Sequence, residues 1–243
     1  MENPEIWLRT VCRKNGLQVD DRQLFLLAQY VRLLLDRNQE SNLISRKDEA
    51  NVWENHILHS IAILFKISFL PKSRILDLGT GGGLPGIPLK ILCPDSSFVL
   101  LDGTQKKIDA VADITRRLSL DGLETYWGRA EEIGKKERFY EKFDYVIARA
   151  VAPLKDLIKW SSPFLIRSSG GRSVLETRSK SDIAQVDPPA LVTFKGGDLD
   201  KELAEAGRRH VKATKVINLV FNGSEQILAT DKKIVIVKIE KGA

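Results

Sequence analysis

The chain has 243 residues, 43% hydrophobic and 29% charged, and 38 Lys+Arg against 32 Asp+Glu give a formal net charge of +6. This is ordinary globular usage, which excludes a disordered or fibrous chain, and no apolar run is long enough for a membrane span. The positive excess grows from zero over residues 1–66 to +2 over 67–164 and +4 over 165–243, a bias compatible with a polyanionic partner.

Met1 to Glu5 lacks the basic and apolar regions of a secretory leader, and Cys12 and Cys93 have no metal-ligand spacing. A cytoplasmic location, no membrane attachment and no metal site are expected. Residues 1–70 read as a helical extension packed on a core. Leu24 to Leu35 (LFLLAQYVRLLL) is apolar almost all round, which predicts a buried helix. Trp7 is expected to pack an N-terminal helix. Ser45 and Asp48 have capping-box spacing and predict a further helix carrying Val52, Trp53, His56, Ile57, Ser60, Ile61 and Leu64, ended by Pro71. His56 and His59 lack a third ligand for zinc, and His56 is expected to hydrogen-bond between this helix and the sheet.

From Arg74 short apolar runs alternate with amphipathic segments. Ile75 to Leu78, Phe98 to Leu101, Glu124 to Trp127 and Phe143 to Ala148 predict strands. Segments near 86–92, 104–118, 130–138 and 154–165 predict the helices between them. Such alternation means an α/β fold over residues 71–243, a doubly wound, mostly parallel sheet with right-handed crossovers. Residues 178–190 are polar and proline-bearing and predict an exposed connection. Val211 to Phe221 and Lys233 to Ile239, joined by the turn-like Asn222-Gly223, predict a C-terminal antiparallel hairpin. Trp53, Trp127 and Trp160 are expected in the core. Arg208-Arg209-His210, Lys212 and Lys215 form a basic cluster, as do Arg46-Lys47; these read as solvated surface, with phosphate contact as the alternative.

The strongest local signal is Asp77-Leu-Gly79-Thr-Gly81-Gly-Gly83-Leu-Pro-Gly86, between a strand and a helix. Glycines there allow a tight turn and close approach of the backbone to a ligand. Gly81, Gly83 and Gly86 formally match a dinucleotide fingerprint, with Asp102 at the expected distance. Asp77, Gly79, Gly81 and Gly83 also match the first motif of class I S-adenosylmethionine-dependent methyltransferases. Two details favour the second match. Asp77 stands at a strand edge where an apolar residue is usual, able to orient the loop and lie near the ammonium of methionine. Pro85 and Pro88 remove N–H donors that a pyrophosphate at the helix start would use.

Asp102 at the end of the second strand can accept both hydroxyls of a ribose; a helix cap is the alternative. Ala130-Glu131 after the third strand would lie near the adenine edge, with Glu131 as a helix-dipole partner the alternative. Arg149 ends the fourth strand, where ligands bind in open α/β sheets; it can contact cofactor, base or phosphate, or pair with a carboxylate. The residues that follow, Ala148-Arg149-Ala150-Val151-Ala152-Pro153, are not the Asp/Asn-Pro-Pro-aromatic run that holds an exocyclic amine. No cysteine is placed to attack a pyrimidine, and no His/Asp pair stands ready as general base. An acceptor needing no deprotonation fits, and guanine N7 is one.

Asn42-Leu-Ile-Ser45, His56-Ile-Leu, Asp77 to Pro88, and Arg149-Ala-Val-Ala-Pro-Leu154 together resemble the bacterial 16S ribosomal RNA guanine-N7 methyltransferase G family, formerly called glucose-inhibited division protein B. Phe194-Lys195-Gly196-Gly197 is similar to that family's late Lys-Gly motif. The resemblance spans roughly residues 20–240. It implies a Rossmann-like, seven-stranded class I fold, S-adenosylmethionine as cofactor, and 16S ribosomal RNA or the small ribosomal subunit as partner, with a monomer expected. It also implies a cofactor site of Gly79, Leu84, Asp102, Gly103, Thr104, Ala130, Glu131 and Arg149, to which the reading of the glycine loop adds Asp77, Gly81 and Gly83. Arg149 and Lys195 are candidates for substrate positioning, and no residue carries over as a general base. The chain departs from the family at His59, where the family has Asp, at Asp102-Gly-Thr-Gln-Lys106-Lys, and in a long segment over 172–194. Two other readings stand beside this one, a nicotinamide-dependent oxidoreductase and a non-catalytic RNA-binding module.

Overall fold

The computed structural model describes residues 3–167, 175–176, 183–206, 211–224 and 231–239. Seven strands form the main sheet: β1 Arg74–Leu78, β2 Ser97–Asp102, β3 Leu123–Trp127, β4 Tyr145–Arg149, β5 Ala190–Gly196, β6 Val211–Asn218 and β7 Lys232–Ile239. Their order across the sheet is β3-β2-β1-β4-β5-β7-β6. The first five are parallel, and β7 runs antiparallel to β5 and β6. The doubly wound sheet and closing hairpin expected from the sequence are both present. The chain winds one way from β1 and the other way from β4. The crevice at the C-terminal ends of those two strands is therefore the topological switch point where ligands bind in such sheets.

Helices α1 (Pro4–Lys14), α2 (Asp21–Ser41), α3 (Gly86–Leu92) and α4 (Gln105–Leu118) cover one face; α5 (Ala130–Ile133), α6 (Leu154–Ser161) and α7 (Asp200–Ala206) cover the other. Alternation along the strands decides which residue serves which face. Ile75, Phe98, Leu100, Tyr145, Ile147 and Val192 join the first core; Leu76, Leu78, Val99, Leu101, Val146 and Leu191 join the second. Both faces are apolar because both are covered. The N-terminal helices share the first core with the sheet. Leu27 and Leu34 of α2 are fully buried, whereas Phe25 is 60% exposed, so that helix is less uniformly buried than its sequence suggests.

The structure corrects several expectations. The helix expected after Ser45 is a broken run: a 3₁₀ turn Arg46–Asn51, a π-turn Trp53–Leu58, one α-turn His59–Ile61 and a second 3₁₀ turn Ala62–Phe65. The capping box does not form. The Ser45 hydroxyl accepts from Lys47 N–H at 3.4 Å and not from Asp48 N–H, which bonds to Ser45 O, and the Asp48 carboxylate accepts from Asn55 Nδ2 at 2.9 Å. The helices expected over 130–138 and 154–165 stop at Ile133, before Gly134, and at Ser161, two residues before Pro163. Phe143 lies outside β4 and makes a single bridge to Leu165. Residues 184–186 do not belong to an exposed connection: Ala184–Val186 pairs in parallel with Ile67–Ser68 and antiparallel with Leu175–Glu176. The basic residues 208–210 lie outside the described residues, and Lys212 and Lys215 sit on β6. Trp127 is 54% exposed and is not a core residue. No helix among the described residues is long and apolar enough to cross a membrane.

Candidate active site

The glycine loop is organised from below. Asp77 is fully buried on β1, and its Oδ2 accepts from Thr80 Oγ1 at 2.6 Å and Gly86 N–H at 2.9 Å. Burial pushes its carboxyl up to about 6. Its Oδ1 is buried with no hydrogen-bond partner among the described residues. Gly79 takes φ +73°, and a Cβ there would stand 2.6 Å from Val151 Cγ2. Only glycine admits that approach. Gly83 also has a positive φ, but it faces Ile87 and Tyr30 and does not line the cleft. Tyr30 on α2 donates to Gly82 O at 2.9 Å and so ties the helical extension to the loop.

The same arrangement decides against a pyrophosphate. At the start of α3, the Gly86 N–H is taken by Asp77 and the Ile87 N–H by Gly83 O. Pro88 has none, and Leu89 N–H bonds to Pro85 O. A dinucleotide phosphate would find no free donor there.

The cleft above the loop has a volume of about 650 Å³. Gly79, Thr80, Gly81, Leu84, Asp102, Gly103, Thr104 and Arg149 line it, so most of the expected cofactor residues converge. Asp102 Oδ2 accepts from Gly81 N–H at 2.9 Å and Oδ1 from Thr104 N–H at 2.8 Å. The carboxylate braces the loop and stays at the cleft wall with acceptor capacity left over. Thr104, the N-cap of α4, makes no side-chain cap. A recess of about 100 Å³ adjoins the cleft, lined by Asp102, Gly103, Ala130, Glu131 and Trp160.

Arg149 closes the floor of the cleft. Its Nη2 donates to His56 Nδ1 at 3.1 Å, and no carboxylate among the described residues forms an ion pair with it. His56 thus bridges the helical extension and the sheet, as expected. Accepting at Nδ1 leaves its proton on Nε2, 3.5 Å from Asp48 Oδ2. Burial, then the Arg149 charge, pushes His56 down to about 4 and His59 down to about 3. Asp48, read from the sequence as a helix cap, and Asn55 and Tyr30, which the sequence assigns no site role, belong to this site. The π-turn brings Asn55 and His56 to the cleft, and backbone irregularity of that kind has no one-dimensional signature.

Lys195 lies off the cofactor cleft. It forms an ion pair with Glu202 and donates to Ala152 O at 2.8 Å. It lines a second cavity beside the first.

Both imidazoles titrate near 6.5 when unfolded and are held neutral in the fold. Their contribution to stability is complete above pH 6.5 and is lost as pH falls through the folded values. Asp77 runs the other way: its raised carboxyl costs stability above pH 6, and acidification relieves that cost. Each tenfold change in proton affinity is worth about 1.4 kcal/mol, so the two histidines outweigh the single Asp by on the order of 3 kcal/mol between pH 6.5 and 4. Urea unfolding across this range is expected to show that loss, and His59→Leu to remove roughly half of the histidine share. An unchanged pH profile in the variant rejects this account.

The family model described as rRNA small subunit methyltransferase G matches residues 23–212. The Ribosomal RNA small subunit methyltransferase G of Chlorobaculum tepidum is 36% identical over 241 residues, covering 98% of this chain and 100% of the relative. Among solved structures, a predicted O-methyltransferase from Agrobacterium tumefaciens aligns with a TM-score of 0.54 at 13% identity, over 75% of this chain and 81% of that one. TYW2 of M. jannaschii in complex with AdoMet aligns with a TM-score of 0.51 at 10% identity, over 78% and 77%. At these identities the two structures share the fold.

Proposed function

This chain belongs to the rRNA small subunit methyltransferase G family, and from that premise we propose that it methylates N7 of a guanine in 16S ribosomal RNA, using S-adenosylmethionine. The observation that carries the reading is the cleft itself. A glycine loop held by buried Asp77, a carboxylate rim at Asp102 and a cationic floor at Arg149 meet at the switch point, and a second cavity opens beside them. The residues fit this cofactor. Asp77, expected among the cofactor residues, is buried beneath the loop and does not line the cleft, so it serves the methionine end by holding the loop; Asp102 suits the ribose hydroxyls, and the recess at Ala130 and Glu131 suits the adenine edge. When bound, the cofactor supplies an electrophilic methyl group.

The rest of the chemistry is positioning. Guanine N7 carries a free lone pair at neutral pH, so no side chain has to remove a proton. His56 Nδ1 is already occupied by Arg149, which is consistent with a site without a general base. Gly79 and Gly81 let the loop approach closely, and Arg149 holds the floor rigid through His56 and Asn55 O. Action as a monomer is part of this proposal, and a ribosomal RNA substrate implies the cytoplasm.

The test is incubation of small-subunit particles with the protein and S-adenosylmethionine. Product RNA cleavable at a 7-methylguanosine is the expected result; methyl on an exocyclic amine, or on no base, rejects the reading.

A further inference from the structure

Beside the cofactor cleft lies a cavity of about 540 Å³. The two share His59, Arg149, Ala150, Val151 and Lys232, so their volumes adjoin. The second cavity is also lined by Lys195 and Glu202. Glu202 comes from α7, which no sequence motif marked. Its Oε1 accepts from Leu154 N–H at 2.5 Å, at the first turn of α6, and from the Lys195 ammonium on β5. Lys195 is itself held by Ala152 O. Two elements thus fix the carboxylate, and its Oε2 has no hydrogen-bond partner among the described residues. The Lys195 and Glu202 side chains are only 13% and 25% exposed, which strengthens polar recognition beside them.

We propose that Glu202, oriented by Lys195, reads the Watson–Crick edge of the target guanine; this assignment rests on the methyltransferase reading above. Guanine presents two neighbouring donors, N1–H and N2–H, beside the acceptor O6. A carboxylate next to an ammonium is the complement of that edge. Adenine presents the opposite pattern, an acceptor at N1 and a donor at N6, and is repelled at both positions. Enzymes that modify bases read the extruded base on this edge. The contact also changes during the reaction. As the N7 lone pair forms the new C–N bond, the S–C bond breaks and its electrons return to sulfur, and the base gains positive charge. That charge acidifies N1–H and strengthens its hydrogen bond to the carboxylate. The contact is therefore stronger in the transition state than in the bound substrate and acts on kcat.

The test uses 16S RNA carrying inosine in place of the methylated guanine, at the position mapped from the wild-type product. Inosine keeps N7, O6 and N1–H but lacks the N2 amine. Wild-type protein is expected to prefer guanine by about tenfold in kcat/KM. Glu202→Gln is expected to lower kcat on guanine by about 100-fold and to erase the preference, with S-adenosylhomocysteine affinity within about twofold of wild type. Loss of a merely structural contact would not erase the preference for one base over the other. If Glu202→Gln does not fold, Glu202→Asp carries the same test, because its shorter side chain withdraws the carboxylate and shrinks the preference. A preference retained in a folded variant overturns the assignment alone. No 7-methylguanosine from wild-type protein overturns the functional reading, and the assignment with it.

Discussion

Asp102→Ala is expected to weaken S-adenosylhomocysteine binding by at least about 100-fold, measured by calorimetric titration, and to abolish methyl transfer with it. The carboxylate does two jobs at once. It braces the loop at Gly81 N–H and the next turn at Thr104 N–H, and it is the acceptor proposed for the ribose hydroxyls. Hydrogen bonds to a charged group are worth about 1.5–3 kcal/mol each, so losing two ligand contacts accounts for the whole drop before any loop loosening is counted. Asp102 is half-buried at the end of β2 and lies outside the apolar cores. Its removal is therefore expected to shift Tm by only a few degrees. Affinity within about threefold of wild type would move the ribose site elsewhere and leave Asp102 as a loop brace.

Arg149→Met is expected to separate function from stability. The guanidinium is desolvated, which pushes its pKa below the usual value, and its recorded partners are a neutral imidazole and a backbone carbonyl. Arg149 is half-buried at the cleft floor; taking a partly desolvated cation without an ion-pair partner out of a fold relieves part of its desolvation penalty, and Met retains most of the packing. Thermal unfolding without ligand is expected at the wild-type temperature or above it. Methyl transfer is expected to fall by about 100-fold or more, because Arg149 links the cleft floor, His56 and the second cavity. The variant has a second signature. Without the nearby cation, the lowered titration of His56 and His59 is expected to rise towards normal, visible in their ring-proton NMR shifts. A variant that melts several degrees lower yet keeps full turnover would make Arg149 a structural residue only.

The glycine loop, Asp77 and Asp102 were legible because each stands at a strand end, where the pattern breaks: a carboxylate where an apolar residue belongs, or glycine where a side chain would collide. Two strands of the hairpin announced themselves by composition. Strand β5 did not, because it directly follows a polar segment that ends in Pro188-Pro189 and reads as a connection, so that its short apolar run Ala-Leu-Val-Thr-Phe is masked by its flanks. The run after Ser45 misled for a related reason. Its apolar spacing is helical, but Asp48 is drawn to Asn55 instead of Ser45, and the backbone loosens into a π-turn. Trp127 was misread because an aromatic ring on an edge strand need not face the core; its indole N–H donates to Gly103 O from the surface.

The amino-acid sequence by itself determined the layered α/β fold and the glycine loop with its two carboxylates, since these are local properties of strand ends, turns and helix starts; the hydrogen bonds that occupy the donors at the start of α3, and so exclude a pyrophosphate, belong to the tertiary structure. The tertiary structure alone decided what stands opposite them. Tyr30 against the loop lies 52 residues from its partner and Arg149 lies 93 from His56, while Glu202 comes to Lys195 from a separate helix. Contacts between such distant positions arise from how the N-terminal helices and α7 pack on the sheet, and no periodicity within one segment encodes that packing.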